Sequence, residues 1–306
     1  MSMNLSDGDI AIDCTMGAGG HTQAMIDAIG TDGLVIGVDR DETAHKLVQA
    51  RLAEPIKSGR LELVQGAFSG LRDVLIDKEI NGNVQGICAD IGVSSMHLDQ
   101  ADRGFSFQND GPLDMRMDQS RGQTAADIVN TATEEALTRI FKDYGEEPKA
   151  YWIAKAIVQE RVLKPFTTTL QLAEFVKANI RYKTKSKKHP ATKVFQALRV
   201  AVNDELEELR TLLQTAFDGL KKGGRLAIIS FHSLEDRIVK KKFVELTGRN
   251  QRASIPRDIP LMDSAVNELH GAKGKIIKPF PTLPSSEEIA ENTRSRSAKL
   301  RVIEKL

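Results

Sequence analysis

Cysteine is scarce: the chain holds two, Cys14 and Cys88, among 306 residues. Two thiols cannot build a zinc cluster of the paired CxxC kind. Each follows strand-like residues, so both read as small buried hydrophobes kept reduced. An excess of one charge is missing as well. Lys and Arg together number 43 and Asp and Glu 42, a formal net charge of +1. Contacts to a nucleic acid must therefore come from local patches. No apolar run approaches the roughly 18 residues that span a bilayer. The opening "MSMNLSDGDI" has neither the basic nor the apolar region of a signal peptide. These absences predict a cytoplasmic protein with no membrane partner. What is present, 41% hydrophobic residues, suffices for one large domain or two smaller ones.

The first 97 residues alternate short apolar runs with helical stretches. "DIAID" (9–13), "GLVIGVD" (33–39), "LELVQGAF" (61–68) and "VQGICADIG" (84–92) read as four strands. They are apolar throughout, as expected of a parallel sheet covered on both faces. From 102 to 190 no convincing strand follows. Capping-box pairs, Thr131 with Glu134 and Thr168 with Gln171, predict helices there. This stretch reads as a helical insertion ending in the basic loop "RYKTKSKKHP" (181–190). A long helix is then expected from Thr192, with Leu198, Val202, Leu206, Leu209 and Leu213 on one stripe and "KKGG" (221–224) as its stop. "GRLAIISF" (224–231), "KIIKPF" (275–280) and "KLRVIE" (299–304) resume the sheet. The expected division is therefore 1–101 with 191–306, and 102–190 inserted between them.

"DCTMGAGGHT" (13–22) packs Gly17, Gly19 and Gly20 between a strand and a helix. Glycine tolerates positive φ and lets a ligand approach the main chain. A P-loop needs a Lys-Ser/Thr pair after its last glycine, and none is present. The dinucleotide pattern G-x-G-x-x-G needs glycine where Thr22 stands, which weakens a nicotinamide reading. Asp39 ends the second strand about 20 residues further on, where a carboxylate can take both ribose hydroxyls. Loop and acid together suit a nucleoside ligand, with NAD and S-adenosylmethionine both open.

Asp90 closes the fourth strand, where a carboxylate is expected to face the same crevice, to cap a helix or to be a satisfied buried acid. His97 follows it, without a second histidine at metal-ligand spacing. Ser230, His232 and Asp236 in "SFHSLEDR" lack the G-x-S-x-G elbow of a hydrolase, and Ser233 is a candidate helix cap. Lys185, Lys187 and Lys188 form a basic loop suited to solvent or to phosphates. Phe105 and Phe107, near Arg103 and Arg116, offer rings for an unpaired base or for ordinary packing.

The segments "DCTMGAGGHT", "GVDRD", "ADIGVSS", "DRGFSFQNDGPLDMRMD", "HPATKVFQALR", "SFHSLEDRIVK" and "ENTRSRSAKLR" occur in that order. Together they closely resemble the bacterial 16S ribosomal RNA cytosine-N4 methyltransferase family. The resemblance implies an α/β fold: a Rossmann-like, mostly parallel sheet of seven strands with an inserted all-helical domain. It implies S-adenosyl-L-methionine as cofactor, no metal, and small-subunit rRNA as partner, within the 30S subunit; it also allows a homodimer. Carried over by motif, the cofactor contacts are Gly19, Gly20, His21, Asp39 on the ribose, Phe68 against adenine, Asp90 and His97.

Asp90, with main-chain carbonyls near residues 92–94, is expected to accept the hydrogens of the target amine, and His232 is a second candidate. Phe105, Phe107, Arg116, Lys185, Lys187 and Lys188 are expected to hold RNA around a base drawn out of its stack. Family members usually carry a further segment with a pattern like H-x-P-V-L before the first strand. This chain starts almost at that strand, so weaker cofactor binding is expected where such a segment forms a cover.

Overall fold

The structure is a computed structural model and describes residues 3–180, 189–248 and 271–306. Its strands are β1 (Ile10–Asp13), β2 (Leu34–Asp39), β3 (Leu61–Gln65), β4 (Val84–Asp90), β5 (Leu220–Ser230), β6 (Gly274–Thr282) and β7 (Lys299–Lys305). They form one seven-stranded sheet in the order β3-β2-β1-β4-β5-β7-β6. β1 to β5 pair in parallel, and β7 is antiparallel to both β5 and β6. The order reverses between β1 and β4. In an open α/β sheet, ligands bind outside the carboxyl ends of the strands at such a switch point.

The chain divides into two compact units, Met1–Gly92 with Leu206–Leu306, and Val93–Glu205. In the sheet unit, α1 (Gly20–Ala28), α2 (Glu42–Arg51), α3 (Ala53–Lys57) and α4 (Leu71–Asp77) connect the first four strands. β1, β2 and β4 are legible as apolar runs because nearly all their residues are buried: β4 is covered from Val84 to Ala89.

The helical unit contains α5 (Ser95–Asp99), α6 (Ala125–Thr131), α7 (Glu134–Asp143), α8 (Ala150–Arg161), α9 (Thr169–Asn179) and α10 (Thr192–Asn203). It has its own apolar core, with Phe141, Ile153, Phe166, Leu172 and Val194 among its members. It is longer at both ends than the expected 102–190. Val93 and Leu98 pack on that core before it, and α10 contributes Val194, Phe195, Ala197 and Leu198 after it.

The long helix expected from Thr192 is two helices. α10 stops at Asp204, whose φ of 49° is left-handed, and α11 (Glu205–Gly219) starts anew. Leu198 and Val202 then serve the helical core, while Leu209 and Leu213 serve the sheet core. α11 ends at Gly219, before "KKGG", where an added Cβ would lie 2.7 Å from Leu75 Cδ1. β5 begins at Leu220 and carries the basic turn as an irregularity opposite Val84 and Gly86. α12 (Ser233–Leu246) follows β5. Among the described residues no helix is long and apolar enough to cross a membrane.

Local caps refine the sequence reading. Thr131 closes α6, with its hydroxyl on the Asp127 carbonyl, and Thr133 caps α7 instead. Thr168 caps α9 as expected, but the Gln171 side chain accepts from the Thr167 N–H, one residue earlier than the box predicts. α12 starts at Ser233 itself, so its cap position is His232.

Candidate active site

The carboxyl ends of five parallel strands bring Asp13, Asp39, the turn at Phe68, Asp90 and His232 to one edge of the sheet unit. The glycine loop follows β1. Gly17 and Gly19 have φ of 50° and 80°, a region in which side chains are strained. Gly19 also packs tightly against α2, since a Cβ there would meet Val48 Cγ2 at 3.1 Å. Gly20 differs: a Cβ there would meet no atom within 4 Å. It opens α1, whose N-terminus has no side-chain cap and whose second residue, His21, is exposed. Uncapped main-chain N–H groups at a helix start favour an anion.

The loop is anchored from below. Asp13 is fully buried; its carboxylate accepts from the Thr22 hydroxyl at 2.7 Å and from the Thr15 N–H at 3.1 Å. Thr15 in turn accepts the Asp90 N–H on its hydroxyl at 2.6 Å. β1, the loop, α1 and β4 are thus tied by two hydroxyls and one buried acid. Sequence reasoning missed all three residues. The available signal was a carboxylate closing a wholly apolar strand, which requires a buried donor. Burial raises the Asp13 carboxyl, and the Thr22 hydrogen bond opposes that shift. Burial beside Asp13 likewise raises both thiols, so Cys14 and Cys88 stay protonated and inert.

Asp39 ends β2 as expected. One carboxylate oxygen accepts the Gly17 N–H at 2.8 Å and the other the Asp41 N–H at 2.9 Å. His45 Nε2 lies 2.9 Å from the Asp39 carbonyl oxygen. The carboxylate is therefore aimed by the glycine loop itself and still has lone pairs to offer. Phe68 opens a short turn after β3, packs at the margin of the sheet core, and lies 5.7 Å beneath the Arg40 guanidinium.

Asp90, along with Ser230 and His232, is one of the groups on the edge left with an open buried polar atom. Its Oδ1 is buried and has no hydrogen-bond partner. Burial pushes its carboxyl up to about 6; positive charge at His21 opposes this, while Asp13 and Glu235 add to it. A buried acceptor left open costs free energy unless something fills it.

His232 stands at the start of α12. The Glu235 carboxylate accepts the N–H groups of Phe231 and His232, at 2.9 and 3.1 Å, and its other oxygen is 2.9 Å from His232 Nε2. The hydrolase arrangement is absent: Asp236 is ion-paired with Lys299 and Arg301, at 3.1 and 2.7 Å, and these hold its carboxyl below the usual range against the effect of burial.

The remaining candidates belong to the helical unit. His97 is buried in α5; its ring stacks on Phe105 at 4.8 Å and its Nδ1 takes the Ser94 N–H at 3.3 Å. Phe105 is 7% exposed and part of the helical core, so its ring is a packing group rather than the open base platform expected. Phe107 is half-buried against Phe195 and His189, at 4.7 and 4.8 Å. Arg116 holds the Asp114 carboxylate through two nitrogens, each at 2.8 Å. Lys185, Lys187 and Lys188 lie outside the described residues.

Solved structures similar to this chain include an rRNA methylase structure from Clostridium thermocellum at 13% identity and TM-score 0.43, covering 99% of this chain and 91% of that one. A SAM-dependent O-methyltransferase from Thermotoga maritima is 12% identical with TM-score 0.42, covering 100% of this chain and 62% of that one. Aeropyrum pernix fibrillarin with bound S-adenosyl-L-methionine is 10% identical with TM-score 0.37, covering 97% and 67%. These likenesses are faint, and the strand order carries the fold assignment without them. The model of the MraW methylase family matches residues 1–306, the whole chain. The chain therefore belongs to the MraW methylase family of rRNA methyltransferases, which take their methyl group from S-adenosylmethionine.

Proposed function

We propose that this chain methylates the exocyclic N4 amine of a cytidine in the decoding region of 16S rRNA, acting on the small subunit. The observation that carries this reading is the buried, open Oδ1 of Asp90 at the carboxyl end of β4. An amine that must be both oriented and relieved of a proton is the partner such an acceptor suits.

The edge of the sheet unit also fits the cofactor. The uncapped start of α1, at Gly20 and His21, suits its carboxylate. The Asp39 carboxylate, aimed by Gly17, suits a ribose diol. Phe68 supplies an apolar ring for the adenine, and the room at Gly20 lets a ligand approach the main chain. His97 joins this set on the resemblance of its motif alone. When bound, S-adenosylmethionine supplies an electrophilic methyl group on a sulfonium.

The work left to the chain is alignment and charge. The cytosine amine is a weak nucleophile because its lone pair is delocalised into the ring. Asp90 accepts an amine hydrogen at Oδ1, which localises that lone pair and stabilises positive charge as it develops. Its raised carboxyl lets it take up the released proton near neutrality. His232, braced by Glu235, is the second candidate, as acceptor or proton shuttle.

Replacing Asp90 with Asn keeps the shape and removes the charge. Turnover with small-subunit rRNA is expected to fall by about 100-fold or more, while S-adenosylmethionine affinity by calorimetry stays within a few-fold. Unchanged turnover removes Asp90 from the chemistry.

A further inference from the structure

The helices α11 and α12 leave a groove of about 430 Å³ between them, wholly within the sheet unit. Its lining is strongly one-signed. Arg210 comes from α11; Arg237, Lys241, Lys242 and Glu245 come from α12; Leu213 forms part of an apolar floor. Four cations thus meet one carboxylate in a chain whose overall net charge is +1. The surplus is a property of this place and not of the molecule.

Two of these cations, Arg210 and Lys241, are held weakly or not by ion pairs among the described residues. Arg210 lies 3.4 Å from Glu207, but both side chains are more than half exposed, at 53% and 67%. Such a pair contributes little and is readily exchanged. Lys242 pairs with Glu245 at 2.9 Å. Lys241 is exposed and, among the described residues, makes no ion pair. On α12 the cations Arg237 and Lys241 stand at i and i+4, with Glu245 at i+8, so they share one face of the helix.

Both helices start at the carboxyl edge of the sheet, since α11 leads into β5 and α12 leaves it. Arg210 and Arg237 sit in their second turns, so the groove runs away from the edge that holds Asp90 and His232. A polyanion with one residue engaged at that edge can lay its neighbouring charges along this groove.

We propose that the α11–α12 groove binds the phosphodiester backbone of the RNA flanking the target nucleotide. This rests on the reading that the substrate is rRNA. The cations sit over an apolar floor with few acceptors, which suits sequence-independent phosphate contacts better than base readout.

The test uses the full chain with Arg210→Glu, Lys241→Glu and both together. Binding of 16S rRNA is titrated across a salt series, alongside S-adenosylmethionine calorimetry and thermal melting. The expected result is unchanged melting and cofactor affinity for the double variant. Its rRNA affinity falls tenfold or more. The slope of log affinity against log salt becomes shallower by roughly 1.4, two phosphates at about 0.7 each on single-stranded RNA.

Affinity and slope equal to wild type overturn the groove while leaving the rRNA reading intact, because wild type still binds and methylates. Wild type that shows no salt-dependent rRNA binding overturns both. Unchanged rRNA binding with lost binding of polyglutamate assigns the groove to an acidic polypeptide and overturns the proposal. Should the charge reversals lower the melting temperature, Arg210→Gln with Lys241→Gln must give a slope change of similar size, about 1.4, at native stability, because the same two phosphate contacts are lost; no change there also overturns it.

Discussion

Asp90 ends a strand whose other residues are buried, and it keeps one oxygen buried and open. Two predictions rest on it and on its support. With the carboxyl raised to about 6, kcat/KM should climb as pH rises through that value and level off above it. The same shift acts on stability with a definite sign. The folded state holds the proton more tightly than the unfolded chain, so wild type loses stability between pH 4 and 6 and stays penalised above. The stability of Asp90→Asn relative to wild type should therefore grow over that window by roughly 2–3 kcal/mol. Chemical denaturation at pH 4, 5, 6 and 7 measures it; a constant difference contradicts the raised carboxyl.

Thr22→Val removes the hydroxyl that serves Asp13 and leaves a buried carboxyl short of its donor. About 1–3 kcal/mol of stability should be lost, with weaker cofactor binding, and Thr22→Ser should restore both. Melting and calorimetry that match wild type for the valine variant contradict the anchoring role.

At the scale of elements, the glycine loop and α1 separate two uses of glycine. Gly19 serves the fold, through its φ of 80° and its contact with α2. Gly20 has room for a Cβ in the protein alone. Gly20→Ala should leave melting unchanged or raise it slightly, yet lower S-adenosylmethionine affinity by tenfold or more. Full affinity in that variant would mean no ligand approaches the main chain there.

β1, β2 and β4 were legible because burial leaves an apolar run, and Asp39 and Asp90 were legible because they close such runs. Asp204 was not. The spacing Leu198, Val202, Leu206, Leu209 continues across the break, since periodicity records which faces are covered and not which core covers them. The anchors were hidden for a related reason. Thr22 drew notice only as the glycine it replaces, whereas its role depends on a partner nine residues away. Thr15 meets Asp90 across 75 residues.

At the scale of the whole molecule, a net charge of +1 leaves RNA recognition to local surfaces. Phe105 shows how a motif can mislead here: an aromatic beside arginines suggested a base platform, but its ring closes the helical core. Arg116 is committed to Asp114. The proposed function puts the cofactor site and the target acceptor on one edge of the sheet unit, where Asp39, Asp90 and His232 lie. It is tested most directly by incubating the chain with methyl-labelled S-adenosylmethionine and small subunits, then digesting the 16S rRNA to nucleosides. The account predicts label in N4-methylcytidine, from a single decoding-region cytidine, and its loss with Asp90→Asn. Label on a ring carbon or a ribose oxygen, or unchanged label with Asp90→Asn, would contradict it.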